Sequence, residues 1–419
     1  MAHFPKVKGF VKRDIESFEQ FYSKLTRLER AYFLLFTRFI SIEQSIAKIG
    51  IQKFNNINGQ AALWMDTYHK KDGEFNVLGY LEIIENLTKE KDPVIRLLRT
   101  ENTNPLANFR VGDIAILYPF LGPDESPIQN QVFKCTIVKM DQKEVAVRLR
   151  SKQFNLRVFE RFEHWNLEHD LIDSSFLGLY RSLSKFLQST DRTKRLLFTE
   201  EAPAKPKSIP EHRPSGMTTE QVNIFNKAIA ANDYFLIWGP PGTGKTSVMV
   251  KNLTEHYLNN TQANILLLAY TNRAVDEMCA AVESISPDLD YIRVGSRYST
   301  NERYRKRLFN EHITNAQKRS DVRKTIDSHR IFTATISSFA SKDEIMRLKR
   351  FDIVIVDEAS QVIEPQIVGL LSQFRKFILI GDHNQLPAVV QQDYELSHVE
   401  TELMHDIGIV NLRNSLFER

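Results

Sequence analysis

The residues best suited to chemistry lie in the second half of the chain. Gly239-Pro240-Pro241-Gly242-Thr243-Gly244-Lys245-Thr246 is a glycine-rich loop that ends in lysine and threonine. Glycines at this spacing let backbone N–H groups turn inward around phosphate oxygens, and a helix starting behind them adds its positive end. Lys245 is expected to reach the β- and γ-phosphates, and the Thr246 hydroxyl to ligate Mg²⁺. A second group follows roughly a hundred residues later, where the apolar run Ile353-Val354-Ile355-Val356 ends in Asp357-Glu358. Asp357 is placed to hold Mg²⁺ and Glu358 to polarise an attacking water. Together the two groups predict binding of the triphosphate of ATP, or a close relative, with Mg²⁺.

Each polar group needs an element behind it. Tyr234-Phe235-Leu236-Ile237-Trp238 reads as a strand feeding the loop, and Thr246, Val248, Val250 and Leu253 read as the helix after it. Asn264 to Ala269 reads as a strand ending in Tyr270-Thr271-Asn272-Arg273-Ala274-Val275-Asp276. Ile331 to Thr335 and Lys376 to Ile380 are two more, the latter ending in Gly381-Asp382-His383-Asn384-Gln385-Leu386-Pro387. Strands alternating with helical stretches predict an α/β fold with a doubly wound parallel sheet. Every polar motif then falls at a strand's carboxyl end, the edge where such sheets bind ligands.

Taken in order, these residues resemble the superfamily 1 helicases. Residues 239–246 look like motif I, 270–276 like motif Ia, 356–361 like motif II and 381–387 like motif III. Thr218-Thr219-Glu220-Gln221 resembles the Q motif. The Ala-Val-Asp of motif Ia resembles the 1B branch, which includes the nonsense-mediated-decay helicase and the replication nuclease–helicase of Okazaki-fragment processing. Asp233-Tyr234 and Gly381-Asp382-His383 look more like the latter. Its nuclease is not evident: the first hundred residues show no Asp…Glu-x-Lys constellation, and two cysteines, Cys135 and Cys279, are too few for an iron–sulfur cluster.

The resemblance implies a RecA-like domain over residues 217–419, and ATP and Mg²⁺ as cofactors. It implies 5′-to-3′ travel on single-stranded nucleic acid, with DNA favoured over RNA. Lys245, Asp357, Glu358 and Gln385 would be catalytic, with Gln385 sensing the γ-phosphate. Gln221 would read adenine, and Thr271, Asn272 and Thr335 would touch the strand's backbone. The family's second RecA-like domain, with its arginine finger, is expected to follow Ser415-Leu416-Phe417-Glu418-Arg419. A fragment, a truncated product or a separately encoded second half are all compatible with that ending. Hydrolysis and unwinding are expected to need that second half. A non-catalytic ATP-binding module that docks nucleic acid or a partner is the rival function.

The remainder bears less chemistry. Phe18, Phe21, Tyr22, Leu25 and Leu28 recur at helical spacing, and a mainly helical accessory region is expected over 1–104. Alternating, β-rich stretches, with a turn at Asp141-Gln142-Lys143, predict a small barrel over 105–165. Phe176, Leu179, Leu183 and Leu187 predict a stalk helix over 166–199, and the proline-rich 200–216 a linker. Arg148, Arg150 and Lys152 suit a nucleic-acid groove and a solvated strand face equally. Arg303, Arg305, Lys306 and Arg307 fit either a phosphate track or a solvated helix. A net charge of +4 permits a polyanionic partner without requiring one. No early run is apolar enough for a signal peptide or membrane span, so a cytoplasmic place, or a nuclear one in a eukaryote, is expected.

Overall fold

The computed structural model describes residues 9–49, 66–122, 130–170 and 173–419. The chain divides into two compact units. One holds Met1–Ser41, Leu177–Gly295 and Lys306–Arg419; the other holds Ile42–Phe176 and Ser296–Arg305.

The second unit is a closed antiparallel barrel. Its strands are β1 (Val77–Asn86), β2 (Val94–Arg99), β3 (Ile114–Phe120), β4 (Phe133–Met140), β5 (Glu144–Leu149) and β6 (His164–His169). They run around the barrel in the order β1-β2-β5-β4-β3-β6. Strand β4 shows why the sequence folds this way: Phe133, Cys135 and Ile137 are buried while Lys134 between them is exposed. The β4–β5 turn is fixed by Asp141 Oδ1, which accepts the N–H groups of Lys143 and Glu144 at 2.9 Å each.

The barrel is larger than expected. Residues 77–99, expected in a helical region, are its first two strands, and β6 carries it to His169, past the expected limit of 165. The cause is irregular register. Pairing of β1 with β6 shifts between Leu78 and Leu81, and pairing of β1 with β2 shifts between Ile83 and Glu85. Tyr80, inside the first shift, has φ +54°, in the left-handed region. The shift buries both Leu78 and Leu81, three apart, which imitates a helical period.

The segment Ser296–Arg305 belongs to this unit. The Tyr298 hydroxyl donates to Asp92 Oδ2 at 3.1 Å, and Arg148 Nε lies 2.5 Å from Asp92 Oδ1. Arg148, a candidate for a nucleic-acid groove, is thus paired within the barrel unit.

The first unit is built on a six-stranded sheet: β7 (Tyr234–Trp238), β8 (Ile265–Ala269), β9 (Ile292–Val294), β10 (Ile331–Thr335), β11 (Ile353–Asp357) and β12 (Phe377–Gly381). The order is β7-β12-β11-β8-β10-β9, and every pairing is parallel. Strands β8, β10, β11 and β12 are buried along their whole length, as a sheet covered on both faces requires. Five strands were expected; the sixth, β9, is three residues long and too short to show a pattern.

Helices Gly9–Lys24 and Arg27–Ile49 lie in the region expected to be helical, but the run from Phe18 to Leu28 is broken between them at Leu25-Thr26. Through Ser41 they belong to the sheet's unit, which corrects the expectation of a separate accessory region. Tyr32 packs its ring against Phe186 and Phe198, with centroids 5.5 and 5.1 Å away, and Phe36 and Phe39 are buried beside it. The Tyr32 hydroxyl donates to Glu364 Oε1 at 2.8 Å, and Arg419 Nε holds Glu364 Oε2 at 3.0 Å. The expected stalk over 166–199 is two helices, Asp173–Leu187 and Asp191–Leu197, the second capped by Thr190. The expected linker is extended but tied down: Asp233 Oδ2 accepts the Ala204 N–H at 2.7 Å, and Asn226 exchanges two bonds with the His212 backbone. Among the described residues, no helix is long and apolar enough to cross a membrane.

Candidate nucleotide site

Strand β7 delivers the chain into Gly239–Thr246 at the sheet's carboxyl edge. Gly242 and Gly244 have φ of +77° and +76°, a conformation that side chains resist. Gly239 is needed for space, because a Cβ there would stand 2.9 Å from Thr243 Oγ1. The helix behind the loop opens with a widened turn, in which Val248 and Met249 both donate to the Gly244 carbonyl, at 2.9 and 3.0 Å. Lys245 is folded over its own loop, with Nζ donating to the Gly239 carbonyl at 2.7 Å. Pro240, Pro241 and Thr243 complete the loop, and the Thr243 hydroxyl donates to the Pro240 carbonyl at 2.8 Å.

Strand β12 separates β7 from β11, and the loop reaches across it. The Gly239 N–H donates to the Gly381 carbonyl at 3.1 Å. Beyond it, the Thr246 hydroxyl donates to Asp357 Oδ2. Two oxygens far apart in the chain, one a carboxylate, converge on one point. A hydroxyl and a carboxylate form the hard oxygen set that suits Mg²⁺, so these residues fit that ion. Burial pushes the Asp357 carboxyl up, opposed by the hydrogen bond from Thr246.

Glu358 follows with φ +56°, a left-handed conformation unusual for a residue with a side chain. Its Oε2 accepts Gln361 Nε2 at 2.8 Å. Burial first, and the Asp357 charge second, raise its pKa, which makes it a better proton acceptor than an exposed glutamate.

Asp382 ties the end of β7 to the loop after β12. Its Oδ1 accepts Trp238 Nε1 at 2.9 Å and the Asn384 N–H at 3.1 Å, while Oδ2 accepts Gln385 Nε2 at 2.7 Å. The Gln385 and Trp238 bonds hold the Asp382 carboxyl below the usual carboxylate range. Gln221 reaches the loop from the other side. Its Oε1 accepts the Thr218 N–H at 2.9 Å, completing a capping box at the start of helix Thr219–Ala230. Its Nε2 donates to the Thr243 carbonyl at 3.0 Å.

The three candidates for backbone contact sit at the carboxyl ends of neighbouring strands, where Ala269 of β8 pairs with Thr335 of β10. Thr271 caps helix Asn272–Glu283 by accepting the Ala274 N–H at 3.1 Å. Thr335 accepts the Ser338 N–H at 3.1 Å and is buried. Asn272 is half-buried beside Thr271. The basic cluster is divided: Arg303 and Arg305 fall in the barrel unit, Lys306 and Arg307 in this one. Arg305 holds Glu302 at 3.0 Å and Arg307 holds Asp290 at 2.8 Å.

One residue escaped the sequence reading. Arg293 of β9 is 1% exposed, and its NH1 lies 3.0 Å from Asp276 Oδ1. It fixes helix Asn272–Glu283, and so the edge that carries Thr271 and Asn272. An arginine between isoleucine and valine, just before a glycine, was the available signal.

Residues 216–314 and 297–393 match the family described as AAA domain. The chain is 29% identical over 239 residues to the DNA replication ATP-dependent helicase/nuclease JHS1 of Arabidopsis thaliana, covering 55% of this chain and 17% of that protein. It is 25% identical over 394 residues to the mouse DNA replication ATP-dependent helicase/nuclease DNA2, covering 89% of this chain and 35% of that one. The Saccharomyces cerevisiae enzyme of the same name is 30% identical over 177 residues, 42% of this chain and 11% of its own. The chain thus spans about a third or less of the length of these relatives. Likeness to the solved UvsW helicase of bacteriophage T4 is slight, with a TM-score of 0.30 at 13% identity over 53% of this chain and 67% of that one.

Proposed function

From a P-loop region of superfamily 1 helicase type, similar to the helicase part of the DNA replication helicase/nucleases, we propose that this chain is the ATP-binding part of a nucleic-acid helicase. The finer reading is a RecA-like motor domain of the 1B branch, moving 5′-to-3′ along single-stranded DNA. The observation that carries it is the meeting of Thr246 and Asp357 across β12, with Glu358 beside them. Thr246 and Asp357 would hold Mg²⁺, which supplies charge neutralisation on the phosphates. Lys245 would leave the Gly239 carbonyl for the phosphates, and Glu358 would take the proton of the attacking water. Gln385, poised on Asp382, would sense the γ-phosphate. Gln221 Nε2 would exchange the Thr243 carbonyl for the adenine edge. Thr271, Asn272 and Thr335 would line the path of the single strand.

In this family a second RecA-like domain supplies an arginine finger, an element worth about 10³–10⁵ in rate in other NTPases. The test is ATP·Mg²⁺ affinity and hydrolysis, with and without single-stranded DNA or RNA. Residues 1–419 would be compared with a longer polypeptide that includes a second RecA-like domain. Residues 1–419 are expected to bind ATP·Mg²⁺ and to lose that binding in Lys245→Ala, with DNA-stimulated turnover only in the longer polypeptide. Brisk DNA-stimulated turnover by residues 1–419 would sink the second-domain requirement. Failure to bind nucleotide would sink the whole reading.

A further inference from the structure

The opposite, amino-terminal edge of the same sheet carries a second cluster of chemical groups. Asp290 lies just before β9, His329 just before β10, and His312 ends a short helix, Phe309–His312, in the excursion between them. One ligand atom from each lies within 4.8 Å of the other two. The imidazole rings of His312 and His329 meet edge to face with centroids 4.9 Å apart. We propose that Asp290, His312 and His329 bind a divalent transition-metal ion of the zinc class.

Hydrogen bonding assigns the electron pairs. His329 Nδ1 lies 2.6 Å from the Thr325 carbonyl, which only accepts, so Nδ1 carries the proton. Ser328 Oγ is also near Nδ1, at 3.1 Å. The His329 Nε2 of a neutral ring is then a lone pair, and it faces Asp290 Oδ2 at 2.9 Å. Two acceptors at that distance call for a cation between them. A proton on His329 would meet that need but would leave His312 Nε2, which is buried with no hydrogen-bond partner, bare. A metal ion satisfies all three groups at once. His329 is 8% exposed, so its Nε2 cannot simply turn to water. Its bond to the Thr325 carbonyl is the outer-shell contact that metal-ligating histidines ordinarily make.

The donor types select the ion. Two imidazoles and one carboxylate suit zinc, cobalt or nickel rather than magnesium or calcium. Tetrahedral bonds of about 2.0–2.1 Å to these atoms need only side-chain adjustments of about an ångström from the present spacing. Arg307 holds the other oxygen of the exposed Asp290 at 2.8 Å, which weakens the site without closing it, since Oδ2 stays within 2.9 Å of His329 Nε2. The ion would staple the excursion between β9 and β10 to the foot of the sheet, away from the nucleotide edge.

The test uses the whole chain, stripped with EDTA and desalted, titrated with Co²⁺ and then with Zn²⁺. One equivalent of Co²⁺ is expected to give visible d–d bands of a tetrahedral nitrogen–oxygen site, which Zn²⁺ erases. Zn²⁺ is expected to raise the melting transition of the sheet's unit, which holds all three ligands, in the parent chain. His312→Ala and Asp290→Asn should each weaken Co²⁺ binding at least tenfold and remove the Zn²⁺ stabilisation, while ATP binding stays unchanged. The same one-equivalent signal in His312→Ala/His329→Gln would place the metal on other histidines and overturn the proposal. No saturable signal at micromolar chain would overturn it too, leaving a His329–Asp290 ion pair. Should the double variant fail to fold, His312→Ala, at a half-buried position, decides alone.

Discussion

At the scale of single residues, the amide of Gln221 has two assignments that a substitution separates. Its Oε1 closes the capping box with Thr218, and its Nε2 holds the Thr243 carbonyl of the phosphate loop. Gln221→Ala removes both; the Thr218 hydroxyl still caps the backbone N–H of residue 221, so loss of this half of the capping box is expected to cost less than the about 1 kcal/mol of a whole cap. Melting is therefore expected to fall whatever the amide does with nucleotide. If Nε2 also reads adenine, affinity for ATP falls more than affinity for GTP, measured by titration of both into parent and variant. An equal loss for the two nucleotides would leave Gln221 as a cap and loop brace only. Glu358 is separable in the same way. Glu358→Gln keeps an oxygen and a similar shape but cannot accept the proton of water. Turnover by an active, longer polypeptide is expected to drop by about 10²–10⁴ with ATP affinity kept. A variant that hydrolyses ATP at the parent rate would remove Glu358 from the chemistry.

At the scale of elements, the barrel holds a buried charge pair on which it depends. Lys71 Nζ lies 3.1 Å from Glu168 Oε1 on β6, and the Tyr118 hydroxyl of β3 donates to the same oxygen. Burial pushes the Glu168 carboxyl up, while Lys71 and Tyr118 pull it down. Lys71→Met strands the carboxylate in the interior and is expected to cost about 3–5 kcal/mol. Lys71→Met/Glu168→Gln removes the charge while keeping an acceptor for Tyr118, and should recover most of that loss in a melting experiment. A double variant as unstable as the single one would show that packing of the lysine stem, not charge, is what matters. Neither β1 nor the partnership of Lys71 with Glu168 was legible in the sequence. Two register shifts within β1 break the period of two, and the pairing joins residues distant in the chain. The phosphate loop and Asp357-Glu358 were legible because phosphate and Mg²⁺ chemistry fixes residue type and order locally. Thr271 and Thr335 show a limit of that logic. A hydroxyl at a helix start reads the same whether it caps the helix, as both do here, or awaits a ligand.

At the scale of the whole molecule, the assignment of the N-terminal helices is the feature that sequence periodicity was least able to supply. Spacing in the N-terminal region predicts helix but not what covers the apolar face of Arg27–Ile49. Here the cover comes from Phe186 and Phe198, and Tyr32 adds a bond to Glu364. The helix therefore completes the core of the sheet's unit, and its loss should be felt by the nucleotide site's own fold. Two units also mean that one melting temperature cannot describe the chain. Nucleotide supplies a label, since a ligand raises the transition of the unit that binds it. Phe36→Ala empties a fully buried position and is expected to cost about 3–5 kcal/mol. That cost should appear in the transition that ATP·Mg²⁺ raises. Lys71→Met, by contrast, should lower a transition indifferent to nucleotide. Calorimetry of both variants, with and without ATP·Mg²⁺, checks the pair. If Phe36→Ala leaves the ATP-sensitive transition in place and lowers the other, the N-terminal helices belong with the barrel.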